Sequence, residues 1–421
     1  MTFTFTASQQ TQRIKPSATL ALNKMAADLK AAGHDVIAFT VGEPDKKTPP
    51  YVGTAMAAFA NAGENKYATP APAANAKAIA EKFKRDNGLN YRPEQITAGV
   101  GGKELVFWGI GAVVNPGDEV VIPAPYWVSY PEIVNFFGGD TRAIVPSADN
   151  LKISPAELRA AITPKTKLFI LNQPSNPAGV VYTRDELAAM ADVLRDAVKT
   201  NPQLVIITDD IYEKLVYGQK FHTLAEIAPD LADRILIING LSKSHAFTGA
   251  RYGYCAGHAE WIKTINKMIS QSSTHGPTIV QAGAIAALNG PEDFLAEWCA
   301  DYVRRRDFVL ERLHNMGIPC AKPDGAFYVF PKIADFIGKT YKGKRIESDQ
   351  DFVMTLLNEK KVGCVHGSAF GMPGYMRISY ATSDENLRRG LERIGEFCSE
   401  IANENNMTLA AIKNGHEKGA R

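Results

Sequence analysis

The chain has 421 residues, of which 45% are hydrophobic and 22% are charged, and its formal net charge is +2. This composition is typical of a globular protein and excludes a largely disordered chain. A net charge so close to zero also offers no electrostatic footprint for nucleic acid. Because the length exceeds what one hydrophobic core usually serves, we expect a large domain and a smaller companion.

The N-terminus and the cysteines bear on where the protein works. The chain begins Met1-Thr2-Phe3 without the basic and apolar regions of a secretion signal, and no apolar stretch approaches the roughly 20 residues that span a bilayer. The five cysteines are scattered, so they predict neither a disulfide framework nor a zinc site. We therefore predict a cytoplasmic protein without a metal, a membrane or a nucleic-acid partner. The end of the polar tail that starts near Asn403 is expected to be frayed.

From about residue 95 to 260, short β-branched runs alternate with helical segments. This alternation predicts a mostly parallel sheet covered by helices. We predict strands at 95–99, 119–123, 141–145, 167–171, 204–209, 234–239 and 252–257. We predict helices at 103–114, 154–161, 184–200 and 260–273. Catalytic groups in such a sheet collect in the loops at the carboxyl ends of the strands.

After Pro291 a long helical segment, which runs to about Met316, is predicted to lead out of this sheet. An α+β portion follows, with predicted strands at 325–330 and 376–380. Arg377 lies in the middle of the second of these strands, an unusual place for a charge unless an anion meets it. Either a clamp on a substrate carboxylate or an internal salt bridge explains this arginine.

Lys243 lies on a loop of small residues directly after the predicted strand 234–239, with Ser242 before it and Arg251 a few residues later. Lysine is the side chain that forms Schiff bases with pyridoxal phosphate, and a planar guanidinium matches a phosphate group. A lysine near a glycine-rich loop is more often a solvated surface residue. Lys243 therefore predicts a cofactor site only together with other residues.

The predicted strand 204–209 ends at Asp209, and Tyr212 follows three residues later. A buried carboxylate keeps a pyridine nitrogen protonated, and a phenol hydrogen-bonds the O3′ of such a ring. Because side chains alternate along a strand, Asp210 is predicted to face away, and we assign this role to Asp209. A helix N-cap is the alternative role for an aspartate in this place.

Three further segments carry groups that suit the same ligand. Asn176 lies in a turn between two prolines and either donates its amide to O3′ or simply makes the turn. Gly101, Gly102 and Lys103 lie between a strand and a helix, where backbone N–H groups face a phosphate. Trp127 offers a flat face on which a pyridine ring stacks, although a core tryptophan is the alternative.

Taken together, these motifs resemble the fold-type I pyridoxal-phosphate aminotransferases of class I, and more closely the aspartate aminotransferase subgroup. The resemblance spans roughly residues 13–397. It rests on motifs in the order of the family, which are Val41-Gly42-Glu43-Pro44-Asp45, Lys66-Tyr67, Gly101-Gly102-Lys103, Pro125-Tyr126-Trp127, Asn176-Pro177, Asp209-Asp210-Ile211-Tyr212, Ser242-Lys243 with Arg251, Gly325-Ala326-Phe327-Tyr328, and Arg377.

The resemblance implies a role for each residue toward pyridoxal phosphate and the substrate. Lys243, Asp209 and Tyr212 are the implied catalytic residues: Lys243 bonds the cofactor and moves the substrate proton, Asp209 holds the pyridinium, and Tyr212 binds O3′. The remaining cofactor-binding residues that it implies are Gly101, Gly102, Lys103, Trp127, Asn176, Ser242, Arg251 and Tyr67. The substrate-binding residues that it implies are Gly42, Trp127, Asn176, Arg377, Lys103 and Thr19.

The resemblance also implies the architecture and the assembly. The fold is expected to be α/β, with a large domain at 48–300 that contains a mostly parallel seven-stranded sheet sandwiched by helices. Residues 1–47 and 301–421 are expected to form a smaller α+β domain built from both termini. In this family Tyr67 reaches the cofactor phosphate of the neighbouring subunit, so a homodimer is expected.

The implied reaction is ping-pong transamination of aspartate or glutamate with 2-oxoglutarate or oxaloacetate. In the subgroup, Lys103 and the Ser17-Ala18-Thr19 segment meet the distal carboxylate, although Lys103 alternatively neutralises the cofactor phosphate. Aromatic amino acids or prephenate remain open as substrates, and so does a carbon–sulfur β-lyase on the same fold. A regulator is disfavoured, because the few residues before Arg13 are too short for a helix-turn-helix.

The chain departs from the family pattern in four places. Ala250 replaces an aromatic residue before the phosphate arginine, Lys46 replaces a phenylalanine, and Ala178 replaces a common threonine. The segment 68–75 also lacks an expected glycine. None of these changes removes a catalytic group. We expect Ala250 and Lys46 to widen the pocket or change its charge, which is why aromatic and prephenate-like substrates stay open.

Overall fold

The strands and helices below come from a computed structural model that describes residues 2–407, and the tail end predicted to be frayed lies outside them. The strands are β1 (Ile37–Ala38), β2 (Ile96–Val100), β3 (Glu119–Pro123), β4 (Asp140–Ile144), β5 (Thr166–Asn172), β6 (Val205–Asp209), β7 (Ile235–Gly240), β8 (Tyr252–Ala256), β9 (Tyr328–Val329), β10 (Thr340–Tyr341), β11 (Lys344–Arg345), β12 (Val362–Gly363), β13 (Val365–His366) and β14 (Met376–Ser379).

The helices are α1 (Gln9–Gln12), α2 (Ala18–Ala31), α3 (Pro50–Ala62), α4 (Ala73–Asn87), α5 (Gly102–Gly111), α6 (Ser129–Phe136), α7 (Pro155–Ala161), α8 (Arg184–Thr200), α9 (Leu224–Ile227), α10 (Leu241–Ser244), α11 (Ala259–Ser270), α12 (Thr278–Asn289), α13 (Phe294–Asn315), α14 (Asp349–Lys360) and α15 (Asp384–Glu404). Short 3₁₀ helices lie at Pro93–Gln95, Pro229–Arg234, Ala334–Phe336 and Gly367–Phe370. No helix among residues 2–407 is long and apolar enough to cross a membrane.

The seven predicted strands form one sheet of order β2-β8-β7-β6-β5-β3-β4. The pairs from β7 through β6, β5 and β3 to β4 are parallel, and β8 runs antiparallel to both of its neighbours. This confirms the predicted mostly parallel sheet, and each strand boundary agrees within one residue. The central strands β6 and β7 are buried along almost their whole length, as expected for a sheet that helices cover on both faces.

Helices cover both faces of the sheet. Successive residues of β6 point to opposite faces and contact different sets of helices. Ile206 belongs to a core cluster with side chains of α4, α8 and α12. Ile207 points the other way and packs with side chains of α5, α6 and α11. Because side chains alternate along a strand, each strand supplies both hydrophobic layers of the sandwich.

The predicted helices form, with differences at their ends. Helix α8 has the predicted bounds, and Thr183 and Glu186 make a capping box at its start. Helix α5 ends at Gly111 instead of 114, shortly before Pro116, which cannot continue a helix. Helix α11 ends at Ser270 instead of 273, because the chain turns at Thr274, whose φ is +66°.

The C-terminal part forms shorter strands than predicted. Of 325–330 only Tyr328–Val329 form a strand, β9, while Gly325 makes an isolated bridge to Val216. Strand β14 stops at Ser379, and the three strands make a sheet of order β13-β14-β9. A separate core cluster joins Ile37 and Phe39 to side chains of α13, α14 and α15, so an N-terminal segment packs against the C-terminal helices there. The cluster also includes Tyr212 and Leu215 from the predicted large domain. The division at 48–300 stays a prediction, and α13 runs across its C-terminal boundary.

Candidate active site

The carboxyl ends of the parallel strands β5, β6 and β7 meet at one edge of the sheet. Asn172 at the end of β5 pairs in register with Asp209 at the end of β6, and Asp209 pairs with Ile238 of β7. A cavity of about 420 Å³ opens at this edge. It is lined by the predicted site residues Thr19, Gly42, Gly102, Lys103, Trp127, Asn176, Asp209, Tyr212, Ser242, Lys243, Arg251 and Arg377.

Lys243 lies on the single-turn helix α10, which starts where β7 ends. Its Nζ donates a hydrogen bond to the carbonyl oxygen of Gly42 at 2.6 Å. Burial lowers the pKa of Lys243 to about 8; Arg377 and Arg251 act in the same direction, while Glu43 opposes them. A substantial fraction of this amine is therefore neutral, and nucleophilic, at a mildly alkaline pH.

Asp209 is buried at the floor of the cavity. One carboxylate oxygen, Oδ2, accepts a hydrogen bond from the Tyr130 hydroxyl at 2.6 Å. Burial raises the pKa of Asp209 to about 6, and the hydrogen bond from Tyr130 limits the rise. Asp210 does not line the cavity and is buried elsewhere, as the alternation of side chains along β6 predicts.

Tyr212 and Asn176 are held by other cavity residues. The hydroxyl of Tyr212 lies 2.8 Å from the hydroxyl of Tyr328. The side-chain Oδ1 of Asn176 accepts a hydrogen bond from Arg377 at 2.8 Å, and its backbone N–H donates to Oδ1 of Asn172 at 2.9 Å. Because Oδ1 of Asn176 faces Arg377, its amide NH₂ is the group left to donate to a ligand.

Arg377 is only 2% exposed, on strand β14. Besides Asn176 it donates to the backbone oxygen of Thr40 at 2.7 Å, and its guanidinium lies 4.6 Å from the centre of the Tyr328 ring. No carboxylate among residues 2–407 forms an ion pair with it, so the internal salt bridge considered from the sequence is excluded for that part of the chain. A buried cation whose charge is unpaired is a receptor for an anion.

A second cation lies beside the glycine-rich turn after β2. Gly101 has φ +79°, and a Cβ atom there would lie 2.4 Å from Nη2 of Arg251. Only glycine therefore allows the guanidinium to approach the backbone at this point. Gly102 begins α5, whose first N–H groups and helix dipole add to the positive potential.

Besides the catalytic candidate Lys243, three cationic side chains line the cavity: Arg377, Arg251 and Lys103. The ammonium of Lys103 lies 4.8 Å from the centre of the Trp127 ring. Lys103 is exposed by its accessible surface. Partial loss of hydration nevertheless lowers its pKa, and the nearby Arg251 adds to this effect. Lys103 forms no ion pair with the described residues. The cavity therefore presents several separate positive groups. Such a cavity suits ligands that together carry several anionic groups.

Two predicted cofactor residues lie outside the lining of this cavity. Gly101 lies behind the Arg251 guanidinium. Tyr67 is 91% exposed, and its ring meets the ring of His275 edge-on, with 6.0 Å between the centroids. Within one chain, the phenol of Tyr67 is therefore not part of the site.

The expectation that Lys46 changes the charge of the pocket is wrong for this fold, whereas the expectation that Ala250 widens the pocket stays a prediction. Lys46 forms an ion pair with Asp301 at 2.5 Å and lies over the Tyr302 ring. Its charge is therefore neutralised outside the cavity. Ala250 packs against the hydrophobic core, and Ala178 is buried in another cluster. None of the three lines the cavity.

Sequence reasoning missed several lining residues. Tyr130 gave no signal, because its partner Asp209 is 79 positions away. Asn172 was detectable as the residue directly after the predicted strand 167–171, at the start of the Asn176 turn. Other missed lining residues are Glu43 and Tyr328, which stood within quoted motifs, and Leu20, Asn23, Ser129 and Thr248. Ser17, from the segment predicted to meet the distal carboxylate, does line the cavity.

The fold and site together define an α/β enzyme whose cavity suits an anionic ligand beside a partly buried lysine. The sequence profile of the family "Aminotransferase class I and II" matches residues 34–394. The chain therefore belongs to this family, whose members depend on pyridoxal phosphate, and it is an aminotransferase. The resemblance stated from the motifs is confirmed.

Individual relatives agree with this assignment. The chain is 50% identical over 393 residues to a probable aspartate/prephenate aminotransferase of Rhizobium leguminosarum bv. phaseoli, covering 92% of this chain and 97% of the relative. It is 41% identical to an aspartate aminotransferase of Bacillus subtilis (strain 168), covering 93% and 98%. The crystal structure of the aspartate aminotransferase from Rhizobium meliloti superposes with a TM-score of 0.90 at 40% identity, covering 94% and 100%.

Proposed function

We propose that this aminotransferase holds pyridoxal phosphate in the cavity and transfers amino groups between dicarboxylic amino acids and 2-oxo acids by a ping-pong mechanism. One observation carries the substrate class. With Arg251 assigned to the phosphate and Arg377 to the α-carboxylate, Lys103 remains as a cation of the same cavity that no described residue neutralises. A second substrate carboxylate supplies the missing charge.

The cavity residues suit pyridoxal phosphate in size and chemistry. Its volume of about 420 Å³ is in the range of small-molecule sites, about 300–1,000 Å³. Arg251, Gly102 and Ser242 would hold the phosphate, with Gly101 giving Arg251 its room. Tyr212 and the amide of Asn176 would hold O3′, and Trp127 would stack on the ring. When bound, the cofactor supplies an aldehyde for the amino group and an electron sink for the α-carbon.

Asp209 would hold the proton on the ring nitrogen. In the cavity it is buried, and Tyr130 fixes the orientation of its carboxylate through Oδ2. Its pKa of about 6 reflects the surrounding groups of the protein alone. A cation beside a buried carboxylate favours the ionised form, so a protonated pyridine and an ionised Asp209 stabilise each other.

Lys243 would bond the cofactor aldehyde, and its released amine would then carry the proton between the substrate α-carbon and the cofactor C4′. The lowered pKa suits both tasks, because a neutral amine is the nucleophile and the base. The carbonyl of Gly42, which accepts the Lys243 hydrogen bond, fixes the direction of the side chain.

Arg377 and Gly42 would receive the substrate α-carboxylate. Asn176 and the carbonyl of Thr40 hold the guanidinium before any substrate arrives. A Cβ atom at position 42 would lie 2.9 Å from the hydroxyl of Tyr328, so glycine keeps this side of the cavity open. Such preorganisation lowers the cost of binding.

Lys103 and Thr19 would meet the distal carboxylate of aspartate, glutamate, 2-oxoglutarate or oxaloacetate. Thr19 lies in the first turn of α2, at the mouth of the cavity. Prephenate is a second candidate, because relatives are named aspartate/prephenate aminotransferase and prephenate also carries two carboxylates. Aromatic amino acids offer no such group to Lys103.

We also propose a homodimer that works in the cytoplasm, in which Tyr67 of each subunit reaches the phosphate in the other site. The exposure of Tyr67 and its position outside its own cavity support this assignment. All five cysteines lie among the described residues and are free thiols, which is consistent with a reducing compartment.

The proposal is tested by mixing the cofactor-loaded protein with single amino acids and following the cofactor absorbance. Aspartate and glutamate should convert the cofactor rapidly to its amine form, whereas phenylalanine and alanine should do so slowly. The amine form is then mixed with 2-oxoglutarate, oxaloacetate or prephenate to find the acceptor. Conversion by neutral amino acids alone would contradict the dicarboxylate assignment.

A further inference from the structure

The turn between α11 and α12 contacts the segment that carries Tyr67. Nε2 of His275 accepts a hydrogen bond from the backbone N–H of Ala68 at 3.2 Å. The other ring nitrogen, Nδ1, lies 2.6 Å from the carbonyl oxygen of Gly276. Because a carbonyl oxygen only accepts, Nδ1 carries the hydrogen and Nε2 is the acceptor. One neutral tautomer of His275 satisfies both contacts.

The two residues before His275 are anchored to the protein. Ser273 donates to Glu104 at 2.5 Å, and Glu104 also accepts from the backbone N–H of Val100, beside the glycine-rich turn, at 2.5 Å. Thr274 has φ +66°, a conformation that β-branched residues rarely adopt, and its N–H donates to Ile269 at 2.8 Å. The backbone that carries His275 is therefore held in place by these hydrogen bonds.

The segment around Tyr67 has few such anchors. Residues 64–69 form neither helix nor strand, and Tyr67 is 91% exposed. The side chain of Gln281 reaches the carbonyl of Thr69 only at 3.5 Å, whereas the contact of His275 with Ala68 is shorter and directly adjacent to Tyr67. The backbone position of Tyr67 thus depends on His275 more than on any other polar side chain among residues 2–407.

We propose that His275 is a positioning residue: its Nε2 holds the Ala68 backbone so that the Tyr67 phenol is presented to the cofactor phosphate of the partner subunit. This inference rests on the proposed pyridoxal-phosphate site and homodimer. Without the contact, phosphate binding has to order the Tyr67 segment itself, and that ordering cost weakens the affinity for the cofactor.

The dissociation constant of pyridoxal phosphate for the full-length protein, measured by the cofactor absorbance, tests this role with a matched pair of variants. Glutamine places an acceptor near the position of Nε2, whereas asparagine reproduces only Nδ1. His275→Asn should weaken binding roughly threefold to tenfold, the effect of one hydrogen bond, and His275→Gln should stay within about twofold of wild type. No loss in His275→Asn, or equal loss in both variants, would overturn the proposal.

A double-mutant cycle with Tyr67→Phe shows whether His275 acts through the phenol. The loss caused by His275→Asn should disappear in the Tyr67→Phe background. An unchanged loss in that background would make His275 a general structural residue and overturn the proposal, and so would wild-type affinity in Tyr67→Phe itself.

The wild-type protein distinguishes this inference from the proposed function. Sedimentation and cofactor binding are measured before any variant. A wild-type protein that binds no pyridoxal phosphate contradicts the proposed function and the inference together. A monomer that binds the cofactor normally and transaminates contradicts only the shared site and the role of His275.

Discussion

The inner and outer ends of the cavity are built differently. At the inner end Asp209, Tyr212 and Arg377 are 7%, 3% and 2% exposed, and each has a partner at hydrogen-bond distance. At the outer end Leu20 is 66% exposed, and the Lys103 ammonium lies over the Trp127 ring without an ion pair to any described residue. The inner groups are preorganised for chemistry on the cofactor, whereas the outer groups are adjustable and serve the choice of substrate.

The largest effect is expected at the inner end, for Lys243→Ala. Loss of the amine that bonds the cofactor and carries the proton should lower turnover by about 10⁴-fold or more. Steady-state and single-turnover rates with aspartate measure this loss. Because the ammonium is partly buried and forms no ion pair among residues 2–407, its removal should not lower the unfolding midpoint in denaturant. Normal turnover in Lys243→Ala would refute the assignment of this lysine.

Asp209 and Asp210 provide a comparison between neighbours. Asp209→Asn should lower turnover by roughly 10²- to 10³-fold, because an amide cannot keep the ring nitrogen protonated. Burial raises the pKa of Asp210 well above its usual range. Asp210→Asn, which removes the same charge at a position that does not line the cavity, is the matched control. Asp210→Asn should retain activity within about threefold of wild type. Equal losses of turnover in Asp209→Asn and Asp210→Asn would contradict the assignment of the ring nitrogen to Asp209 alone.

At the outer end, Lys103→Met should change selectivity more than chemistry. We expect kcat/KM for aspartate to fall about 10- to 100-fold, the value of a charged hydrogen bond, and that for alanine to change little. Lys267→Met, an exposed lysine on α11, is the control and should behave as wild type. If Lys103→Met instead weakens cofactor binding and lowers activity equally for all substrates, the lysine neutralises the phosphate.

The smallest effect concerns the pH dependence of the inner lysine. With a pKa of about 8, the neutral fraction of Lys243 rises as the pH rises through 8 and levels off above it. The rate constant for uptake of pyridoxal phosphate by the cofactor-free protein should therefore increase about fivefold from pH 7 to pH 8. Stopped-flow absorbance measures this rate. A rate that keeps rising to pH 10 would show that Lys243 titrates like an exposed lysine.

Much of the architecture follows from local patterns in the chain. The alternation of short β-branched runs with helical segments placed the seven strands. The period of two turned Asp210 away from the side of Asp209 at the end of β6. In the structure, a capping box of Thr183 and Glu186 starts α8, which is also a local interaction. Motif order was sufficient to recognise the family and to collect most of the cavity residues, because catalytic groups sit at strand ends whose positions the pattern already predicts.

Only the tertiary structure decided which groups became partners. Asn176 and Arg377 are 201 positions apart, Lys46 and Asp301 are 255 apart, and Ala68 and His275 are 207 apart. Periodicity and turn chemistry act over a few residues, whereas these contacts depend on how whole layers pack. The sequence alone determined the sheet and the identity of the lysine, but the packing removed Lys46 from the pocket, left the charge of Arg377 unpaired, and placed Tyr67 outside its own site.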